Sequence, residues 1–216
     1  MRNFRSRYRR NQYGNILVSH VQNNLREYAI ASIIFLIGIM LGVVFVNNLS
    51  SPQSNEISEY INNSIFSLKT NGILNTGGVL KESMRNNLFV VISLWLMGST
   101  VIGLLLVYLI ICFKGFCLGY TLSAIMYVLG TGKGIILFAS TMVIKNIIAI
   151  PCIIILAVSG MKLYKSIMLD RRKENIKIEI IRHTLVSVAV LIVLCFSSFV
   201  EVKISEILLK YCLKYL

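Results

Sequence analysis

The sequence predicts an all-α, polytopic integral membrane protein with about five transmembrane helices and an amphipathic loop on the outer side. Three observations carry that expectation: a shortage of charge, long uncharged runs, and basic residues gathered beside those runs. Of the 216 residues, 56% are hydrophobic and 14% charged, with a mean hydropathy of +0.75. Ordinary soluble domains run at about 25% charged, so a water-soluble globule is excluded. No Asp, Glu, Lys or Arg occurs in 28–55, 86–113, 115–132, 146–161 or 183–200. A helix of about 20 apolar residues spans a hydrocarbon core of about 30 Å. Backbone exposed to lipid must satisfy its own polar groups, which leaves helices or a closed barrel. The runs lack period-2 alternation, and that selects helices.

The chain is a single membrane domain, and its spans are read as about Ala29–Val46, Leu88–Cys112, Phe116–Leu129, Met142–Met161 and Thr184–Val200. The net charge of +13 is topological. Arg2, Arg5, Arg7, Arg9, Arg10 and Arg26 precede the first span, and Lys162, Lys165, Arg171, Arg172, Lys173, Lys177 and Arg182 lie between the fourth and fifth. By the positive-inside rule, 1–28 is a cytoplasmic amino-terminal arm and 162–182 a cytoplasmic loop. The segment 47–86, where Lys69, Lys81 and Arg85 balance Glu56, Glu59 and Glu82, is outer, and so is a carboxyl-terminal helix over 201–216. The bilayer is the implied partner, and no nucleic-acid module accompanies the arginines. The short third span leaves open a re-entrant hairpin near Gly115 to Gly134.

Taken in order, Leu17, Val18, Val21, Leu25 and Tyr28 recur at helical spacing, which suggests an amphipathic inner helix or an extension of the first span. The first span is expected to remain as an anchor, since Val46-Asn47-Asn48-Leu49 offers no small-x-small cleavage site. In the outer loop Ile57, Tyr60, Ile61, Ile65 and Leu68 share one helical face with Ser54 as the cap, and Gly72 and Gly77-Gly78 then break the pattern. Gly38-x-x-x-Gly42 and Gly115-x-x-x-Gly119, extended by Ser123, are flat faces for close helix approach, within the chain or in a homodimer. Ile204, Ile207, Leu208, Tyr211 and Tyr215 oppose Glu206, Lys210 and Lys214 on a last surface helix.

Candidate chemistry is sparse. Cys112, Cys117, Cys152, Cys195 and Cys212 form no C-x-x-C pair and read as small apolar fillers. His20 and His183 lack neighbours at metal-ligand spacing, so neither a metal nor another cofactor is expected. Gly130-Thr131-Gly132-Lys133-Gly134 departs from a phosphate loop, which wants Gly where Tyr127 stands and Ser or Thr where Gly134 stands. A flexible outer turn explains it better. Glu56, Glu59 and Glu82 read as solvated charges rather than as an acid/base pair, so no enzymatic activity is expected.

The exceptions to hydrophobicity lie in the fourth span. With Met161 at the inner boundary, Lys145 stands about 24 Å away and roughly 6 Å below the outer surface, close enough to snorkel. The alternative is a buried Lys145 lining a polar path or pairing with a partner, with no carboxylate in the spans to neutralise it. Asn146 should seek a partner across a helix interface. Pro151 removes a donor and clashes with the Ile147 carbonyl, which predicts a kink.

Asn86-Asn87-Leu88, the span with Trp95, Gly98 and Gly103, and Phe113-Lys114-Gly115-Phe116-x-x-Gly119-x-Thr121 resemble the second and third spans of the stage II sporulation protein M family. Gly134-x-x-Leu137-Phe138-Ala139 and Lys145-Asn146-x-x-x-Ile150-Pro151 resemble its fourth span, although Val143 and Ile144 stand where many relatives place a proline. The resemblance covers about residues 86 to 170 well and the rest by layout. It implies a non-enzymatic scaffold in the cytoplasmic membrane, at the mother-cell septal or engulfing membrane, that anchors peptidoglycan hydrolases, the stage II sporulation proteins D and P. In that reading Lys114 and Gly115 fix a cytoplasmic turn, Asn146 and Pro151 shape the bundle, and Ile57, Ile61 and Ile65 recruit partners. The rival class is a small transporter or channel built on the broken fourth span.

Overall fold

The computed structural model describes residues 22, 24–71, 76–100, 103–169 and 173–212. The basic arm with His20 and most of the inner amphipathic face fall outside the described residues, as do Gly72, Arg171, Arg172 and Tyr215. The described chain is all-α: α1 Leu25–Asn47, α2 Ser51–Asn71, α3 Thr76–Gly98, α4 Gly103–Leu129, α5 Thr131–Phe138, a π-helical turn Ala139–Val143, α6 Ile144–Leu169 and α7 Lys173–Cys212. Among the described residues, four stretches are long and apolar enough to cross a membrane: Leu25–Asn47, Gly103–Leu129, Lys145–Met168 and Ile176–Ile204. Thr131–Val143 is a shorter apolar helix, and α3 packs alongside α6 and α7. Its first turns carry Lys81, Glu82 and Arg85 and its second half is apolar.

Interhelical contacts order the bundle. The end of α3 at Gly98 lies against Gly160 of α6 and His183 of α7, whereas Ser83 lies beside Lys145 and Glu201. Hence α3 and α6 run parallel and α7 antiparallel to both. Helices α1 and α4 also run parallel, as Gly38, Gly42, Gly115 and Gly119 reveal. A Cβ on any of the four would strike the facing backbone, at the carbonyls of Cys112, Phe116, Phe35 and Ile39 respectively. Glycine is needed because the backbones touch, and both flat faces are spent on each other within the chain. Phe45, Phe116 and Tyr120 close the seam at one end, with ring centroids 5.7 to 6.2 Å apart. At the other end the Lys165 ammonium donates to Glu27, joining the start of α1 to the end of α6. That end holds Arg26, Lys162, Lys165, Lys177 and Arg182 and is called the basic end; α2 marks the opposite one.

Helix α6 is the centre. Half of its spanning window is buried, against 28% for α1 and for α4. Ala149, Ile153, Leu156, Ala157, Val158 and Met161 pack with Val90, Val91 and Leu94 of α3 and Val190 and Leu194 of α7. Large apolar side chains such as Met40, Leu109, Ile192 and Phe196 face outward, as lipid contact requires.

Several sequence expectations are corrected. The chain reverses after Gly98, not at Lys114-Gly115. The Ser99 and Thr100 hydroxyls bond the carbonyls of Trp95 and Met97 at 2.9 Å each, and Gly103 fits where a Cβ would strike the Met97 carbonyl. Lys114 and Gly115 therefore lie mid-helix in α4, which joins the later part of the expected second span to the third. The next reversal is at Gly130, whose φ of 79° favours glycine. The cap of α2 is Ser50, which shares the Gln53 amide oxygen between its N–H and hydroxyl, while the Ser54 hydroxyl bonds the Ser51 carbonyl inside the helix. Segment 201–212 continues α7 instead of forming a separate helix.

Irregularity before Pro151 takes the form of the π turn. Hydroxyls of Ser140 and Thr141 and the Asn146 amide donate at 2.8 to 2.9 Å to the carbonyls of Ile136, Leu137 and Met142. Helix α6 continues through Pro151, which sits on an exposed face. Asn146 thus bonds its own helix rather than a neighbour.

Replacing Gly119 by Val should destabilise the protein by about 1–3 kcal/mol, because the opposing backbone cannot yield. Gly132→Ala, at a position with open space around it, should leave stability near wild type. Thermal unfolding in detergent checks the pair, and equal melting temperatures would contradict the seam.

Candidate functional site

The polar residues that the membrane would expel are gathered where α3, α6 and α7 meet near the α2 end. The Lys145 Nζ lies 3.2 Å from the Glu201 Oε2, with side-chain exposures of only 17% and 10%. Ser83 stands between them: its hydroxyl accepts from Lys145 at 2.8 Å and lies 2.8 Å from the same carboxylate oxygen. The Ser83 and Ser198 hydroxyls are 3.1 Å apart, and the Asn87 amide donates to Ser198 at 2.9 Å and to the Leu194 carbonyl at 3.3 Å. This corrects the expectation that Lys145 has no carboxylate to neutralise it.

Local sequence explains the convergence. Ser83 and Asn87 are four residues apart on α3, and Ser198 and Glu201 three apart on α7, so each pair shares a helix face. Lys145 follows the π turn, whose extra residue rotates the helix relative to α5. Desolvating two opposite charges costs several kcal/mol for each ion, and the pair persists only with further hydrogen bonds such as those from serine. A vestibule of about 430 Å³ opens beside the pair, lined by Gly78, Val79, Glu82, Ser83, Asn86, Lys145 and Glu201. Glu82 is held by Arg85 at 2.7 Å. Lys114 approaches from α4, its ammonium 3.4 Å from the Asn86 amide oxygen, and together with Asn146 it lines a narrow crevice near Ile150 and Ile153.

A second polar knot lies at the basic end. His183 is 1% exposed and its Nδ1 is 3.1 Å from the Ser159 hydroxyl. A Cβ on Gly98 would fall 2.8 Å from the Gly160 Cα and 3.0 Å from the His183 Nε2, so the two glycines make room for the ring. The Trp95 indole donates to the Thr184 hydroxyl at 3.1 Å. Val190 and Leu194 separate the two knots along α7 with apolar packing.

Of the residues singled out by sequence, the structure brings Lys145 and, through Asn86, Lys114 to the same polar region. Gly115 and Gly119 belong to the α1–α4 seam. Ile57, Ile61 and Ile65 line a groove of about 630 Å³ between α2 and the bundle, opposite Tyr120, Ala124, Ile125 and Leu137, while Tyr60 is 75% exposed. Sequence reasoning missed Ser83, Asn87, Ser198 and Glu201. The signal was present: Lys145 and Glu201 each border an uncharged run, and antiparallel packing of α6 and α7 sets those borders level. Chemically the site is a clamp, since its carboxylate is already engaged by an ammonium and a hydroxyl.

A family model described as stage II sporulation protein M matches residues 31–206. The chain is also 28% identical over 184 residues to an uncharacterized protein of Methanocaldococcus jannaschii, covering 83% of this chain and 94% of that protein. No solved structure matches.

Removing one member of the buried pair, as in Lys145→Met or Glu201→Leu, should cost about 3–5 kcal/mol by stranding the other charge. The double variant should be more stable than either single one. Thermal unfolding of the three proteins tests this, and additive losses would argue against a coupled pair.

Proposed function

Because the chain belongs to the stage II sporulation protein M family, we propose that it is a non-enzymatic membrane scaffold of sporulation. It anchors and localises a peptidoglycan-remodelling complex, with stage II sporulation proteins D and P as the hydrolases, for septal thinning and forespore engulfment. The observation that carries this reading is the placement of α2. That amphipathic helix lies over one end of a bundle in which Ser83 and Glu201, and His183 through its Nδ1, hold helices together. Such a molecule offers a surface and an anchor, and the partners bring the chemistry. Under the positive-inside rule the basic end is cytoplasmic, which puts α2 and the far end of α7 on the wall side.

Transport is the weaker reading, since the apolar layer of Val90, Val91, Leu94, Val190 and Leu194 blocks a continuous polar path between the two knots.

The test is affinity purification of tagged protein from sporulating cell membranes in mild detergent, with identification of what remains bound. Recovery of a wall amidase and a lytic transglycosylase is expected. Tyr60→Asp on the exposed face of α2 should reduce that recovery several-fold at unchanged membrane abundance. Recovery of neither enzyme with the wild-type protein would overturn the scaffold reading.

A further inference from the structure

We propose that the groove under α2 holds a phospholipid with an ammonium-bearing headgroup. Helix α2 packs mainly on α4 and does not seat fully against the bundle. Its apolar residues Ile57, Ile61 and Ile65 are only half-buried, and a groove of about 630 Å³ remains between them and Tyr120, Ala124 and Leu137. That volume is in the range of small-molecule sites. Leaving the space to water would forfeit the burial of three isoleucines and the dispersion contacts around them.

Continuity with the lipid-facing surface identifies the occupant. A second hollow, of about 490 Å³, shares Phe45, Leu49 and Gln53 with the groove and follows the α1–α4 seam to Leu41 and Val44. Both of those side chains are exposed on α1, a membrane-crossing helix, so hydrocarbon reaches the hollow from the side. From Asn48 to Leu41 the helix descends about 10 Å, which carries the hollow from the α2 end into the hydrocarbon layer. Two connected spaces suit the two acyl chains of one lipid, joined where the spaces share Gln53.

Charge selects the headgroup. Among the described residues Glu56 is the one charged side chain lining either space, and no cation lies within ion-pair distance of it. Glu56 and Tyr60 stand four apart on α2, so they share a face and offer an ammonium a carboxylate beside an aromatic ring. The Gln53 amide oxygen is engaged by Ser50, which leaves its NH2 to donate to the lipid phosphate. A headgroup with net negative charge finds no cation in this lining and is repelled by Glu56. The proposal goes beyond the scaffold reading and does not depend on it.

The full chain, purified and delipidated in a maltoside detergent, is heated with phosphatidylethanolamine or with phosphatidylglycerol carrying the same acyl chains, at equal mole fractions. Binding to the folded state alone raises stability with lipid concentration. A saturable rise in melting temperature is therefore expected with phosphatidylethanolamine, and a clearly smaller one with phosphatidylglycerol. Glu56→Gln, at an exposed position, should bring the two lipids level while leaving the lipid-free melting temperature near wild type. Ile61→Trp, which fills the groove, should remove the rise with both. No rise with phosphatidylethanolamine, an equal rise with phosphatidylglycerol in the wild type, or a preference that survives Glu56→Gln would overturn the proposal. An undiminished rise in Ile61→Trp would overturn it as well, and if that variant also loses the wall hydrolases from membrane purifications, the groove belongs to a protein partner instead.

Discussion

Lys145, carried below the membrane surface, meets a carboxylate there, and that pairing determines how three helices stand relative to one another. Lys145 on α6 and Glu201 on α7 are brought level only if the two helices run antiparallel in one register, and Ser83 between them fixes α3 as well. Apolar packing alone would tolerate sliding, because lipid tails compete for the same surfaces. Buried hydrogen bonds do not tolerate it, since a shift of one turn would strand a charge. The core of α3, α6 and α7 inherits its alignment from this network, and the His183 knot repeats the constraint at the basic end.

The other two helices are attached by a different principle. Among the described residues no ion pair joins α1 to α4, and backbone proximity carries much of the seam: Gly38 and Gly42 interleave with Gly115 and Gly119 so closely that no side chain fits at those positions. Close contact gives extensive dispersion attraction without burying a charge. The bundle thus combines a polar core that sets register with a flat glycine pair that supplies adhesion. The Glu27–Lys165 pair joins the two systems at the basic end.

Much of this was legible in the sequence, for reasons that differ element by element. The uncharged runs revealed spanning segments because lipid excludes charge over lengths comparable to its thickness. The glycine spacings were visible as well, although a single chain cannot say what a flat face touches. The break at Gly98 was hidden, because the chain turns there among apolar neighbours and the hydroxyls of Ser99 and Thr100 close the helix without any charge. Lys114-Gly115 misled for the converse reason. A cation beside a glycine resembles a loop, yet the glycine serves α1 and the cation faces inward toward Asn86. Glu201 sat at the edge of a span, and only the three-dimensional pairing reveals that this edge is inside.

The last helix has a mechanical consequence. Helix α7 runs unbroken for 40 residues, about 60 Å, which is twice the thickness of the hydrocarbon layer it crosses. It is gripped at two levels, near His183 and near Glu201, and its final turns extend past the second grip. A rod clamped at two levels about 27 Å apart resists tilting, so a load on its final turns is passed to both grips rather than absorbed at a joint. Strain exerted on one face of the membrane thus has a stiff route to the other, one that a jointed pair of helices would lack.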